Sequence, residues 1–184
     1  FGEVNLSNGN LTLGVANAVL DGRQLDPSIE RNYNSQDTSP TLLGLGWRLN
    51  VESRIWVEPN GDVRYYDADG TVHRFEKQEN DTYKAPVGVF VRLTRNGEGH
   101  YILTDRDANS LSETYHEDGQ LLSISDKNGN RIRFNYENGR LSEMVDDVNR
   151  SIRFTYNGEA LLQEIQLYTG NRIQYEYDAR RLLT

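Results

Sequence analysis

Pairs of Asn-Gly or Asp-Gly are unusually dense in this chain, because nine of them occur within 184 residues. They lie at Asn8-Gly9, Asp21-Gly22, Asn60-Gly61, Asp69-Gly70, Asn96-Gly97, Asp118-Gly119, Asn128-Gly129, Asn138-Gly139 and Asn157-Gly158. Both positions of such a pair tolerate positive φ, which tight hairpin turns require. The runs between the pairs are short and alternating, and no 3.6-residue period extends beyond about two turns. The sequence therefore predicts an all-β fold of consecutive antiparallel hairpins with almost no helix.

The second half of the chain repeats a strand of the pattern I-x-[FY]-x-Y. The copies supply three isoleucines, three aromatic residues and three tyrosines, namely Ile132, Ile152, Ile173, Phe134, Phe154, Tyr175, Tyr136, Tyr156 and Tyr177. The terminal tyrosines are 20 and 21 residues apart, and Tyr115 precedes the first of them by 21. A weaker copy occupies residues 63–75. A period of this length accommodates two short strands and two turns, so each repeat predicts one hairpin. The clearest units are residues 121–140, 141–160 and 161–181.

Each repeat has one apolar face, since residues two apart in a strand lie on the same side. Ile132, Phe134 and Tyr136 share that face in the first copy. A single hairpin cannot bury its own apolar face, so the units are expected to stack side by side into a long curved sheet. The tyrosines would then form a row on the same face as the isoleucines.

The first sixty residues lack this period and contain both tryptophans of the chain. Gly44 and Gly46, within L-G-L-G-W, permit a sharp bend with close backbone approach, which Trp47 can cover. The same glycines do not predict a nucleotide site, because no third glycine opens a helix and no Lys-Ser/Thr follows. We therefore expect a distinct pre-repeat region at residues 1–60 and hairpin repeats at residues 61–184.

These segments resemble the RHS/YD-repeat proteins, which include bacterial Rhs and wall-associated toxins, toxin-complex shells and the teneurin cores. Residues 177–182 (Y-D-A-R-R-L) and 136–141 (Y-E-N-G-R-L) are similar to the Y-D-x-x-G-R-L repeat of that family. Residues 31–35 (R-N-Y-N-S) and 43–47 (L-G-L-G-W) are similar to the segment that precedes the repeats in bacterial members. The resemblance implies a β-sheet that spirals into a hollow shell around a toxin or cavity, with this chain as an N-proximal part of a much larger secreted protein.

Catalytic and metal-binding patterns are absent from the sequence. There is no cysteine, which excludes disulfides, thiolate metal sites and cysteine nucleophiles. There is no G-x-S-x-G or H-E-x-x-H motif, and His73, His100 and His116 show no ligand spacing. The segment that begins at Asp105 opens like a calcium loop but lacks the glycine at its sixth position and the glutamate at its twelfth. We therefore predict no catalytic, cofactor or metal site, and no cofactor.

The charge balance narrows the possible partners. The net charge of −8 opposes phosphate backbones and anionic membranes, so nucleic acid is not expected as a partner. No apolar run is long enough for a membrane span, and no leader opens the chain, so we expect secretion or cell-surface display with the export signal outside the sequence.

Three function classes remain, and the direction of the aromatic rings separates the first two. A shell segment would bury Phe134, Phe154 and Tyr175 and would contact the rest of its own full-length chain. A carbohydrate or cell-surface binding module would line an open groove with several rings. An enzyme is the third class. Because a part of a spiral sheet leaves strand edges uncovered, we also expect self-association, above all through the edge of residues 171–177.

Overall fold

The computed structural model describes residues 2–5, 9–20, 25–105 and 111–184. Within these ranges the chain is nearly all β, every strand pair is antiparallel, and the helical content is one short 3-10 turn at Glu79–Asp81. The predicted all-β class with consecutive hairpins is therefore confirmed. Asn8, the Asp21-Gly22 pair and residues 106–110 of the calcium-loop candidate lie outside the described residues.

Seventeen strands form three sheets in the described part of the chain. The first sheet contains β1 (Gly2–Asn5), β2 (Asn10–Val19), β3 (Ser28–Asn34) and β4 (Trp47–Leu49). The second contains β5 (Arg54–Val57), β6 (Val63–Tyr66), β7 (Val72–Lys77) and β8 (Tyr83–Lys84). The third contains β9 (Val91–Arg95), β10 (Tyr101–Asp105), β11 (Ser112–Tyr115), β12 (Leu121–Ser125), β13 (Arg131–Glu137), β14 (Arg140–Val145), β15 (Ser151–Tyr156), β16 (Leu162–Gln166) and β17 (Arg172–Gln174).

In all three sheets the spatial order of the strands is their order in the chain. The hairpins from residue 61 onward are divided between two sheets, with β6–β8 beside β5 and β9–β17 together. An isolated bridge between Thr82 and Thr94 links β8 to the strand that follows it. Sequential pairing is the topology expected where each hairpin can bury its apolar face only against its neighbours.

The turns use the predicted residues in a different way from the one expected. In the described turns with a glycine at positive φ, the preceding Asn or Asp usually keeps negative φ; Asn138-Gly139 is the described pair in which both residues have positive φ (51° and 76°). Elsewhere an Asn or Asp at the end of the strand accepts backbone N–H groups with its side chain, as Asp126 does from Asn128 and Asn130 at 2.8 and 3.0 Å. The turn is thus closed by side-chain hydrogen bonds rather than by two residues in the left-handed region.

Candidate functional site

The repeat positions predicted from the sequence lie on the buried face of the third sheet. Ile132, Phe134, Ile152, Phe154 and Tyr175 are at most 5% exposed, whereas the residues between them in β13 and β15 are exposed. Ile173 is half-buried on the last strand, β17, which has a strand neighbour on one side in the described sheet. The rings of Phe134, Phe154 and Tyr175 are therefore buried against the rest of the protein.

Each of the three repeat tyrosines makes the same kind of hydrogen bond, which ties the second strand of its hairpin to the start of the first strand. The hydroxyl of Tyr136 donates to the carbonyl of Leu121 at 3.0 Å, 15 residues earlier in the chain. Tyr156 and Tyr177 donate in the same way to residues 15 earlier, Leu141 and Leu162, at 2.7 and 2.6 Å. Burial raises the pKa of all three phenols well above their ordinary value. They therefore act as neutral donors at any physiological pH.

The residue after the repeat tyrosine organises the turn that follows. The carboxylate of Asp178 accepts the backbone N–H groups of Arg180 and Leu182 at 2.9 and 3.0 Å. Asn157 accepts from Glu159 and Leu161 in the same pattern, both at 3.0 Å. The Tyr-Asp dipeptide thus has two physical roles: the tyrosine fastens the strand backward and the aspartate closes the turn forward.

Gly44 of the pre-repeat region lies where that region meets the last hairpin. Gly44 has φ +87°, and a Cβ atom there would clash with the carbonyl oxygen of Arg181. Beside it, the N–H of Leu162 donates to the carbonyl of Leu42 at 2.8 Å. Gly46, also at positive φ, leaves room for the ring of Tyr33. We call this contact between residues 41–52 and the hairpin ends of the third sheet the seam.

A buried carboxylate supports the seam from within. The two oxygens of Glu52 accept the backbone N–H groups of Leu42 and Leu49, at 2.8 and 2.6 Å. Burial raises the pKa of Glu52, although these N–H groups and the charge of Arg48 oppose the rise. Glu52 therefore closes the loop that presents Leu42 to the third sheet. This residue was not predicted from the sequence, because no local pattern marks it.

A second polar cluster, also not predicted from the sequence, joins the second and third sheets. Tyr115 is fully buried, and its hydroxyl donates to the carboxylate of Glu113 and lies 2.9 Å from the Oγ atom of Ser53. Glu113 stands two residues before the tyrosine, at the position that Phe134 and Phe154 occupy in later copies. The sequence feature that could have pointed to this cluster is therefore a carboxylate at a repeat position that is otherwise aromatic.

The cluster extends into an open pocket of about 370 Å³. The hydroxyl of Tyr65 lies 3.2 Å from the Oδ1 atom of Asp67 and 3.3 Å from the Oε2 atom of Glu113. His73 contributes a ring nitrogen 4.0 Å from the carboxylate of Asp67. Burial, and then the charge of Asp67, raises the pKa of Glu113 despite its hydrogen bonds from the two tyrosines. In the weaker copy at 63–75, Asp67 likewise replaces the repeat tyrosine.

The chemistry available to this cluster is hydrogen bonding between sheets. The described residues contain no group of three or more Asp, Glu or His side chains placed to hold a metal ion. Tyr65 and Tyr115 are poor nucleophiles here because burial raises the pKa of both phenols. The other histidines lie together elsewhere, with the rings of His100 and His116 6.0 Å apart.

Comparison with known proteins relates the chain to a group of bacterial nucleases. Residues 2–75 match the family described as "Domain of unknown function (DUF6531)". Over 135 residues the chain is 31% identical to the tRNA3(Ser)-specific nuclease WapA of Bacillus spizizenii and 30% identical to the tRNA nuclease WapA of Bacillus subtilis. The chain is homologous to a segment of these proteins.

This chain is much shorter than the two relatives. The aligned part is 73% of this chain but 6% of each relative. The names of the relatives therefore describe proteins far longer than this chain of 184 residues. Within the described residues, no helix has the length and hydropathy to cross a membrane.

Proposed function

We propose that the chain is a non-catalytic structural segment of a large RHS/YD-repeat protein, secreted or displayed at the cell surface, and that it builds part of a β-shell enclosing or presenting a nuclease. The observation that carries this proposal is the repeated hairpin of the third sheet. A tyrosine hydroxyl closes each hairpin in the same way, and backbone pairing of β13 with β14 and of β15 with β16 joins the hairpins into a sheet that can be extended. Residues 1–60 form the pre-repeat region and residues 61–184 the repeats. The partner is the rest of the same polypeptide.

The burial of the repeat aromatics supports a shell over a carbohydrate-binding module. A lectin binds sugars with rings that face solvent, whereas Phe134, Phe154 and Tyr175 are at most 5% exposed. The relationship to tRNA nucleases supports a nuclease as the enclosed part, and the small share of their length that is aligned supports a separate location for catalysis.

Protease protection of the nuclease in the full-length protein tests the shell. Phe154→Asp places a charge on the buried face of the third sheet and should expose the nuclease to a protease that the parent protein resists. Thr155→Asp, at the exposed neighbouring position, is the matched control and should leave the protection unchanged. Unchanged protection in Phe154→Asp, with hydrogen exchange showing that its third sheet is disrupted, would contradict an enclosing role.

Catalysis by the isolated chain is a separate question. Incubation of the 184-residue chain with tRNA should give no cleavage and no binding at physiological salt, because a net charge of −8 repels the phosphate backbone. Cleavage that disappears when Glu113 or His73 is substituted would show that this segment is an enzyme.

A further inference from the structure

The Asn-Gly turns carry a chemistry beyond their conformation, because an asparagine followed by glycine can react with its own backbone. The backbone nitrogen of the glycine attacks the side-chain carbonyl carbon of the asparagine, and both groups belong to the same short segment, so no encounter is needed. Glycine lacks a Cβ atom and therefore leaves its nitrogen accessible. Hydrogen bonds that hold either group oppose the attack. The structure describes both residues of five such pairs, which begin at Asn60, Asn96, Asn128, Asn138 and Asn157.

Two of these pairs hold the asparagine side chain. The Oδ1 atom of Asn96 accepts the backbone N–H groups of Glu98 and His100, at 3.1 and 2.9 Å. Asn157 is held in the same pattern, with both hydrogen bonds at 3.0 Å. In each pair the carbonyl carbon can reach the glycine nitrogen only if the side chain gives up these bonds.

Two other pairs hold the glycine nitrogen. The N–H of Gly61 donates to the carbonyl of Glu58 at 2.8 Å, and the N–H of Gly129 donates to the carbonyl of Asp126 at 3.2 Å. A nitrogen that attacks must first lose this hydrogen bond together with its proton. These two pairs are therefore also protected, although by a different contact.

The Asn138-Gly139 pair differs from the other four in both respects. Neither the side chain of Asn138 nor the N–H of Gly139 has a hydrogen-bond partner among the described residues. Both residues are exposed, and a Cβ atom built on Gly139 would meet no other atom within 4 Å. The pair forms the turn between β13 and β14, whose flanking residues Glu137 and Arg140 face each other across the strands. Of the five described pairs, this is the one in which both reacting groups are unrestrained by hydrogen bonds.

We propose that Asn138 is a site of self-modification, at which the chain converts asparagine to aspartate while the other four described Asn-Gly pairs stay protected. The nitrogen of Gly139 loses its proton to solvent and bonds to the Cγ atom of Asn138. The bond from Cγ to Nδ2 then breaks, so that ammonia leaves and a cyclic imide remains. Water opens the imide at either carbonyl, which leaves an aspartate linked through its main-chain or its side-chain carboxyl. The balance is one water consumed and one ammonia released, without oxidation or reduction.

The modification alters the turn in two ways. Both products add a negative charge next to Glu137, which is already acidic. The product linked through the side chain also adds a backbone atom between Glu137 and Arg140, so the pairing of these two residues must shift. The reaction therefore loosens the end of one hairpin of the third sheet. The proposal does not depend on the shell function, since it rests on contacts within this chain.

The test incubates the folded 184-residue chain in mildly alkaline buffer and measures the modified fraction of each Asn-Gly peptide by mass spectrometry. Asn138 should be modified about tenfold faster than each of the other four asparagines, as expected where the others must first break hydrogen bonds. Asn138→Gly cannot form the imide and tolerates positive φ, so it should release less ammonia than the parent over the same interval. Asn96→Gly is the matched control at a protected pair and should release as much ammonia as the parent.

A parallel incubation in denaturant separates the effect of structure from that of sequence. Unfolding releases the held side chains and glycine nitrogens, so the five asparagines should then be modified at similar rates. A rate at Asn138 in the folded chain no higher than at the other four would overturn the proposal. An equally large preference for Asn138 in denaturant would also overturn it, because the neighbouring residues in the sequence, rather than the hydrogen bonds, would then set the rate.

Discussion

The regular hairpins of β12–β17 and the strand β11 follow the same repeat pattern but make different contacts. In the regular hairpins the position two before the tyrosine is aromatic, and the tyrosine hydroxyl donates to a carbonyl 15 residues earlier. In β11 that position is Glu113, and the hydroxyl of Tyr115 reaches Glu113 and Ser53 instead. A carboxylate at that position therefore goes with a change of partner, from a carbonyl within the same hairpin to side chains at the contact with a different sheet.

The difference follows from what a buried carboxylate requires. Phe134 and Phe154 need only apolar neighbours, which the next hairpin supplies. Glu113 is costly to bury unless donors surround it, and the donors come from the second sheet through Tyr65 as well as from its own strand. A polar residue at an apolar repeat position thus specifies which partner the strand takes.

The largest effect should come from emptying the apolar face of a regular hairpin. Phe154→Ala is expected to lower the free energy of unfolding by about 3–5 kcal/mol, because the ring is 4% exposed and leaves a cavity. Denaturant melts measure the loss, with Thr155→Ala on the exposed face as the control. A loss below about 1 kcal/mol would mean that the apolar face is not the stabilising one.

The two kinds of tyrosine should differ when each loses its hydroxyl. Tyr156→Phe removes one bond to a backbone carbonyl and is expected to cost about 1 kcal/mol. Tyr115→Phe should cost more, about 1–3 kcal/mol, because it deprives the buried Glu113 carboxyl of a donor. Chemical denaturation of both variants compares them directly, and equal losses would show that β11 is an ordinary repeat strand.

The contribution to turn stability of the residue that follows the repeat tyrosine can be tested in the same way. Asn157→Ala removes the acceptor of two backbone N–H groups and should lower the free energy of unfolding by about 1 kcal/mol. Glu137→Ala is the matched control at the equivalent position, where the Asn138-Gly139 turn closes without such a side chain, and should change stability by less than about 0.5 kcal/mol. Thermal melts that rank the two in the opposite order would contradict the assignment.

The pH dependence of stability tests the contact of Glu113 with Tyr65 and Tyr115 between the second and third sheets. Its pKa is raised by burial above the ordinary value of 4.5, so the native state binds this proton more tightly than the unfolded state does. The associated stability is complete below pH 4.5 and is lost as the pH rises through the raised pKa. Glu113→Gln does not titrate. As the pH rises through the raised pKa, its free energy of unfolding should therefore increase relative to that of the parent protein. If the free energies of unfolding of the two proteins changed with pH in parallel, the pKa of Glu113 would not be raised in the native state.

Self-association should be the weakest effect. Residues 182–184 fold back on the end of the predicted edge, through the bridge from Tyr177 to Leu183 and the bond from the Thr184 N–H to the Glu176 carbonyl. The edge that remains uncovered by described strands is Arg172–Gln174. Weak dimerisation that strengthens with salt, as charge repulsion is screened, is expected in sedimentation runs. A monomer at millimolar concentration in both low and high salt would contradict it.

The features that could be predicted from the sequence are those that depend on neighbours in the chain. Strand direction, the inward face of Ile132 and Phe134, and the hairpin order follow from a two-residue period and from turn residues. The contact of Leu42 with Leu162 could not be predicted, because 120 positions separate the two residues and no short pattern encodes their meeting. Glu52 and Glu113 were missed for a related reason: a carboxylate looks solvent-exposed until its distant donors are known.

The hydroxyl bonds of the regular hairpins also impose a direction on assembly. Each of the three tyrosines bonds to a carbonyl in the preceding strand of its own hairpin, and none of them bonds to a carbonyl that follows it in the chain. A chain built by this rule can add one hairpin at a time behind its growing or emerging end, with short loops to close at each step. The hairpins can therefore form one after another from the N-terminal side. Loss of the last hairpin would leave the tyrosine bonds of the two earlier hairpins in place but would remove the bond between Leu42 and Leu162 at the seam.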